Sequence, residues 1–544
     1  MVSLCKEKAS SKGNLEVLKV RLRRKFTNWE KKNYSDCDIY FAGFFHIGMD
    51  LYRNEKAIEY LHFKMEQCQN LFEYETLFSC LNGSWSVIFW LKNENRVILA
   101  SDLVRSIPLF FSMIGSEIIV SDSTKELVDD LNLQNVITKN IPFYIANKTA
   151  PAGETIIENL HDVVAGQFIS FDGISLSKFD YWKMPCRLSS IQQDELLQTC
   201  NNVFDVVFRR MKSFLDGNSD KIILLPLSGG MDSRLLAWSL KKYNVTNKII
   251  AFSYGRDESA EEARISRMVA EELQLEWQFI KYTKAKWIEV KKSFDCLVND
   301  FPVHKSCIHL QDFLAIREIG KKYPNSIVLP GLFLDHLAGL ILPHDLKVGD
   351  KINVDLKGKM GLRYDSELAN QETIQKNSRL STWIINSVRT YEYFGLSFYL
   401  PFCDLELTNF WYGVPIKYRI ERNLFRLYLN KYAYVGKYST LLGVPVALGR
   451  SMGDEIIKLK LYDIIKIKME FFLRKLGIAF IIKKLIYRKI YNQNRKSDYV
   501  GIYDFFDEND FIFDKFKVPY MQLVSLYLLD RLKLDGLEYK ADKF

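Results

Sequence analysis

Residues 222–240 read IILLPLSGGMDSRLLAWSL, and they bring together residue types that can bind an anion and a cation at one place. An apolar run, 222–227, ends at Leu227 and has the length and composition of a buried parallel strand. Ser228, Gly229, Gly230, Met231, Asp232 and Ser233 follow, and Leu235, Leu236, Trp238 and Leu240 then supply the apolar positions of a helix. Glycines let the backbone approach an anion closely, and the first N–H groups of a helix lack internal partners, so the turn suits a phosphate. Ser228 and Ser233 add hydroxyl donors. Asp232 would repel a bare phosphate and makes sense beside a cation, most simply Mg2+ held between carboxylate and phosphate oxygens. An ordinary glycine turn between strand and helix is the alternative. The Walker pattern G-x-x-x-x-G-K-[ST] does not occur at this turn.

The elements around the turn repeat its arrangement. A second apolar strand, 248–253, runs through Ser253 towards Gly255, and an Ala- and Glu-rich helix covers 259–273. Residues 277–282 are a third strand candidate, and 326–329 form a fourth that runs into Pro330 and Gly331. Strand and helix alternating at this spacing predict a doubly wound parallel sheet, with ligand bound beyond the carboxyl ends of its strands. Upstream, up to about residue 186, strands follow one another closely. Residues 84–91 and 96–101 flank an Asn-Glu-Asn turn, and 108–114 and 117–121 flank Gly115-Ser116, a hairpin loop. This predicts a mainly antiparallel sheet layered with helices.

The 544 residues suffice for two or three domains, and 48% apolar with 26% charged residues marks a globular chain. No apolar run approaches the roughly 18 residues of a membrane span, and the first residues lack a signal-peptide core. Nine scattered cysteines without a C-x-x-C pair predict reduced thiols in a cytoplasm, and argue against a disulfide framework or a zinc site. The net charge of +9 resides in residues 455–497, where twelve Lys or Arg face three acids. The remainder is neutral, so no general nucleic-acid binder is predicted. The basic stretch suits an anionic membrane surface or an acidic partner, or else packs as helices with a basic solvent face.

The Ser-Gly-Gly-x-Asp-Ser turn after a buried strand resembles the pyrophosphate loop of the N-type ATP pyrophosphatases. Residues 81–86 (LNGSWS), 101–111 (SDLVRSIPLFF) and 120–127 (VSDSTKEL) are similar to the class II glutamine amidotransferase domain of the asparagine synthetase family. Residues 252–255 with 259–264, then 330–339 (PGLFLDHLAG), 400–407 (LPFCDLEL) and 422–426 (RNLFR) resemble that family's synthetase domain. The resemblance runs from about residue 75 to 430. It implies an α/β chain: an Ntn-type αββα sandwich over 1–186, and a doubly wound ATP pyrophosphatase domain over 187–450 with a helical C-terminal part. A basic helical extension would cover 451–544.

By that similarity, Leu227, Ser228, Gly229, Gly230, Asp232, Ser233, Ser253, Gly255 and Gly331 border ATP, and Asp232 with Asp335 holds Mg2+. Two carboxylates at the ends of two parallel strands are what a Mg-ATP site needs. A helix cap is the plainer role for Asp335. Arg422 stands where the family has a phosphate-reaching Lys; it offers a fork for phosphate but is a poor proton donor. A solvated helix charge is its alternative. Leu332 and His336 replace family acids, which points away from the standard aspartate acceptor.

Glutaminase members use a Cys directly after the initiator Met. Here Val2 occupies that position, Cys5 would need trimming, and the nearest match to the Asn-Gly-Glu motif, 41–45, is apolar. Ser101 and Arg105 depart from the family Arg and Gly. The expectation is an ATP-dependent, AMP-forming amide ligase joining ammonia or an amine to a small carboxylate, without its own glutaminase, with a homodimer left open. A non-catalytic paralogue, or amidation of a sugar acid or peptide, is the other reading. A tRNA-modifying enzyme would need a basic RNA face or cysteines near the loop, and neither is evident.

Overall fold

The computed structural model describes residues 17–445 except 23–26, 134, 188–190, 293, 341 and 343–371, together with 524, 525, 527–529 and 532. The expectations for Val2 and Cys5, and for the basic stretch 455–497, lie outside the described residues.

Among the described residues, eleven strands build the N-terminal part: β1 (Leu18–Arg21), β2 (Trp29–Asn33), β3 (Cys37–Ile47), β4 (Asp50–Arg53), β5 (Asn82–Leu91), β6 (Arg96–Ser101), β7 (Phe110–Ile114), β8 (Glu117–Ser121), β9 (His161–Asp162), β10 (Gln167–Phe171) and β11 (Leu176–Asp180). One sheet is ordered β11-β10-β6-β5-β3-β2, with β4 also on β3, and the other β1-β8-β7-β9. Gly115, at φ +60°, closes the β7–β8 hairpin with Ile114 opposite Glu117.

The near-continuous apolar character of β5 follows from burial on both faces. Trp85, Val87 and Phe89 point to one side, where they meet the helices Asn54–Met65 and Leu71–Ser79 through Ile58, Leu61 and Phe78. Ile88 points to the other side, where Leu99 of β6 joins Phe111, Ile118 and Val120 of the second sheet. The outer face of that sheet, Phe110 and Ile119, packs on Leu127, Ile141 and Tyr144 of two further helices. The order helix, sheet, sheet, helix is the expected αββα sandwich.

The second sheet system has β12 (Ile223–Pro226), β13 (Ile249–Gly255), β14 (Glu276–Lys281), β15 (Ile327–Val328) and β16 (Ser397–Phe398), ordered β14-β13-β12-β15-β16 and parallel throughout. Its helices lie on both faces. Ile223 and Leu225 pack with Leu235, Leu236 and Ile265 on one side, while Leu224 and Phe252 pack with Phe313, Leu314 and Trp287 on the other. The strand order reverses between β12 and β15, so the crevice for a ligand opens beyond their carboxyl ends. The fifth strand, β16, is two residues long and offers no periodicity to read. Val524, Tyr527, Leu528 and Leu529 join the same core as Phe294 and Leu314, so chain from beyond residue 451 contributes to this domain.

The two parts share buried polar contacts. Asp404 Oδ1 accepts the N–H groups of Glu406 and Leu407, capping the helix Leu405–Gly413. Its Oδ2 accepts Asn82 Nδ2 at 2.8 Å and Arg210 Nη1 at 2.9 Å. Asp162 holds Lys305 Nζ at 2.8 Å and Arg105 Nε at 3.3 Å, all three nearly solvent-free.

Lys376 is also buried, but among the described residues its Nζ finds only Asn377 Oδ1 at 3.4 Å, Ala165 O at 3.5 Å and the Trp182 ring at 4.7 Å. Burial pulls its ammonium down to about 7, against the opposing pull of Asp102 and Asp180. With the folded value below the unfolded one, the folded state sheds its proton first, so this group's contribution to stability rises with pH from about 7 to the ordinary lysine range. Lys376→Met is expected to stabilise the protein by about 1–4 kcal/mol at pH 6. The gain should shrink by pH 9, as urea unfolding at the two pH values would report.

Candidate active site

The Leu227–Ser233 turn leaves the carboxyl end of β12 and enters the helix Met231–Lys242, with Gly230 at its N-cap. Leu227 is buried and its N–H donates to Phe252 O at 2.8 Å, which ties the start of the turn to β13. The two hydroxyls expected as free donors are used within the turn. Ser228 Oγ accepts the Gly230 N–H at 3.2 Å and lies 2.9 Å from Ser233 Oγ. Ser233 Oγ accepts the Ser228 N–H at 3.2 Å and donates to Ser228 O at 3.1 Å. Ser253 and Gly255 end the adjacent strand β13, and Gly255 has φ +151°.

Gly331 follows β15 and passes close over the turn. A Cβ there would lie 3.0 Å from Ser233 N and 3.3 Å from Asp232 C, both backbone atoms that cannot swing aside. Gly331→Ala is therefore expected to displace the turn and destabilise by about 1–3 kcal/mol, measured as a lowered urea midpoint.

Asp232 sits in the first turn of its helix, 7% exposed. Its Oδ2 accepts the backbone N–H of Asp335 at 2.7 Å, so Asp232 caps the short helix Leu334–Leu337. Asp335 is thus not the cap; its side chain is free of that duty and pairs with Arg422 Nη1. The remaining oxygen of Asp232, Oδ1, is buried with no hydrogen-bond partner among the described residues. Burial first, and the neighbouring Asp335 second, push the Asp232 carboxyl well above its ordinary range. An orphaned buried carboxylate oxygen beside a second carboxylate is a donor set that a hard divalent cation fits.

The backbone that delivers these groups is strained. Phe333, just before the Asp335 helix, has φ +82°, and Glu421 and Arg422 have φ +53° and +59°. Such values in non-glycine residues persist where surrounding contacts enforce them. Arg419 is one enforcer: it is fully buried, its Nε donates to Leu337 O at 3.0 Å, and its Nη2 reaches Glu372 Oε1 at 2.6 Å. Glu372 accepts Arg187 Nη2 through its other oxygen. Gly339, at φ +116°, admits this approach, since a Cβ would fall 2.2 Å from Arg419 O. Arg234, 2% exposed, donates to Val444 O at 2.8 Å and to Leu441 O at 3.2 Å, and reaches Gly229 O at 3.4 Å.

The structure therefore brings Asp232, Asp335, Arg422, Gly331 and the Ser228–Ser233 turn together beyond the carboxyl ends of β12 and β15, with Ser253 and Gly255 on the neighbouring strand. Leu332 packs with the core. Sequence reasoning missed Arg234, Arg419 and Glu372. Arg234 alone left a trace, as a charge directly before the apolar run of its helix.

This fold and site define a class: an αββα sandwich joined to a parallel, doubly wound sheet with a glycine turn after its central strand. A family profile described as a glutamine amidotransferase domain matches residues 72–182, and one described as asparagine synthase matches residues 218–322. The chain is 22% identical over 283 residues to the second glutamine-hydrolysing asparagine synthetase candidate of Methanocaldococcus jannaschii, covering 49% of this chain and 52% of that one. The two profiles match in the order glutamine amidotransferase, then asparagine synthase, and the chain is similar to the asparagine synthetase family in both. It spans about half the length of the curated relative it matches. Among solved structures, glutamine phosphoribosylpyrophosphate amidotransferase from B. subtilis, complexed with ADP and GMP, aligns over 56% of this chain and 63% of its own at 11% identity and a TM-score of 0.20. NAD+ synthetase from Burkholderia pseudomallei aligns over 44% and 96% at 13% and 0.19. Scores this low carry nothing about the site. Among the described residues no helix is long and apolar enough to cross a membrane.

Proposed function

We propose that the protein is an ATP-dependent amide-forming ligase that adenylates a carboxylate and then transfers ammonia or an amine to it. The observation that carries this reading is the meeting of Asp232, Asp335 and Arg422 beside the glycine turn at the strand-order reversal. The turn's backbone N–H groups and the helix N-terminus would receive the phosphates. Asp232 and Asp335 would hold Mg2+, which when bound neutralises charge on the phosphate oxygens. Arg422, paired with Asp335 here, is placed to exchange that carboxylate for a phosphate as charge builds. The acceptor carboxylate oxygen attacks the α-phosphorus, and the bond to the bridging oxygen breaks to release pyrophosphate. The nitrogen then attacks the acyl carbon, loses a proton, and AMP leaves.

The N-terminal domain serves this reading as a scaffold without glutaminase chemistry. Asp102 is fully buried, and its oxygens are taken up by the N–H groups of Trp85, Val104 and Ser106 and by the Ser106 hydroxyl. Arg105, where the family has Gly, adopts φ +56° and buries its guanidinium against Asp162. Phe44 lies in an aromatic cluster with Phe214 and Tyr399. The nitrogen is thus expected to come from free ammonia or an amine.

The test is ATP–pyrophosphate exchange across a panel of carboxylic acids, including aspartate, sugar acids and peptides. Exchange dependent on one acid, followed by 15N incorporation from labelled ammonium but not from amide-labelled glutamine, is the expected result. Absence of exchange with every acid would favour a non-catalytic paralogue.

A further inference from the structure

The helix-covered face of the N-terminal sandwich carries a second cluster of ligating side chains, remote in role from the nucleotide crevice. Asp36 lies in the turn between β2 and β3, Cys37 opens β3, and His62 comes from the helix Asn54–Met65 that packs on that sheet. One carboxylate oxygen of Asp36, the Cys37 sulfur and one imidazole nitrogen of His62 all lie within 4.8 Å of one another. His62 Nε2 is 3.4 Å from Asp36 Oδ1. We infer that Asp36, Cys37 and His62 form a binding site for a single borderline divalent cation, of which Zn2+ is the natural occupant, that staples this helix to the sheet.

Several features support the inference independently of any enzymatic role. Thiolate, imidazole and carboxylate are the donor types of zinc, at bond lengths of about 2.0–2.3 Å, which places tetrahedral donors roughly 3.3–3.8 Å apart. The Asp36–His62 spacing already meets this, and the sulfur needs to close by no more than about an ångström. The imidazole is held in place: the Tyr34 ring stacks on it at 3.5 Å between centroids and 3° between planes. The turn is itself held, with Tyr34 N–H on Cys37 O at 2.8 Å and Lys92 N–H on Asp36 O at 2.9 Å. The sulfur is fully buried, whereas the Asp36 and His62 side chains keep 34% and 17% exposure, which leaves a side for a water as fourth ligand. Binding would release the Cys37 thiol proton, because the ligand is the thiolate. No spacing in the sequence announces the site; the donors come from a turn and a helix 26 positions apart.

The experiment uses the full chain with any affinity tag removed and metal stripped by chelator, titrated with Co2+ and then Zn2+. One equivalent of Co2+ is expected to produce a thiolate-to-cobalt charge-transfer band in the near ultraviolet, which Zn2+ bleaches. Cys37→Ser should abolish the band. His62→Gln, at a partly open position that leaves the core intact, should weaken Zn2+ binding at least ~100-fold in chelator competition, since even outer-shell partners of zinc ligands contribute 10–100-fold. Zn2+ should raise the melting temperature of the wild-type chain and not that of either variant. Absence of the band, or equal affinity in wild type and His62→Gln, would reduce the cluster to a His–Asp pair beside a buried thiol and overturn the inference.

Discussion

Asp232→Asn is expected to abolish acid-dependent ATP–pyrophosphate exchange, by at least ~10³-fold, while leaving the ligand-free protein no less stable than the wild type. The loss follows from removing one of the two carboxylates proposed to hold the metal, whose Oδ1 has no hydrogen-bond partner among the described residues; single preorganised electrostatic groups at such sites are worth about 10²–10³-fold, and here the metal would be lost with the group. The stability expectation has the opposite sign because the carboxyl is raised in the fold by burial and by Asp335. A raised carboxyl contributes stability below its unfolded value of about 3.9, and that contribution is lost as pH rises through the folded value. At neutral pH the wild type therefore holds a carboxyl its surroundings disfavour. Asparagine escapes that cost, and its carbonyl can still accept the Asp335 N–H. Exchange assays paired with urea unfolding at pH 5 and pH 7.5 would check both halves. Exchange above a tenth of the wild-type rate would contradict the role given to Asp232.

The largest effect on stability is expected from Asp162→Asn, a loss of about 3–5 kcal/mol. Its carboxylate is the shared partner of Lys305 and Arg105, at the seam between sandwich and nucleotide domain. The substitution leaves two cations nearly without solvent, and an unpaired buried charge costs far more than an intact pair contributes. With total stabilities of about 5–15 kcal/mol, this is a large fraction of what the fold has. Lys305 is already drawn down to about 8 by burial, even with Asp162 present, so without that partner it should lose its proton more readily still. Adding Lys305→Met to Asp162→Asn removes one stranded cation and is expected to recover part of the loss. A loss under about 1 kcal/mol for the single variant would show that the seam is wet and the triad unimportant.

What was legible in the sequence was local. The strand, glycine turn and helix over 222–240 could be read because strand burial, glycines and helical spacing all fall within one stretch. The β7–β8 hairpin could be read because Gly115 and Ser116 separate two apolar runs. The layering of the sandwich needed the family resemblance, since periodicity cannot tell β5 that both its faces are covered. The placement of Asp335 was legible as a position but not as a relationship: Asp232 caps the Asp335 helix across 103 residues. The supports of the site were hidden for the same reason. Glu372 meets Arg419 across 47 residues and Arg234 meets Leu441 across 207, and an isolated Arg or Glu carries no mark of its distant partner. Hydroxyls expected to donate to a ligand turned out to close their own turn, a choice that only the local geometry decides.

Isothermal titration of the wild-type chain with ATP, with and without Mg2+, tests the account most directly. One ATP bound per chain in Mg2+, with affinity falling at least ~10-fold on chelation and in Asp232→Asn, is the predicted result. Failure to bind ATP, or binding indifferent to both Mg2+ and the substitution, would contradict it.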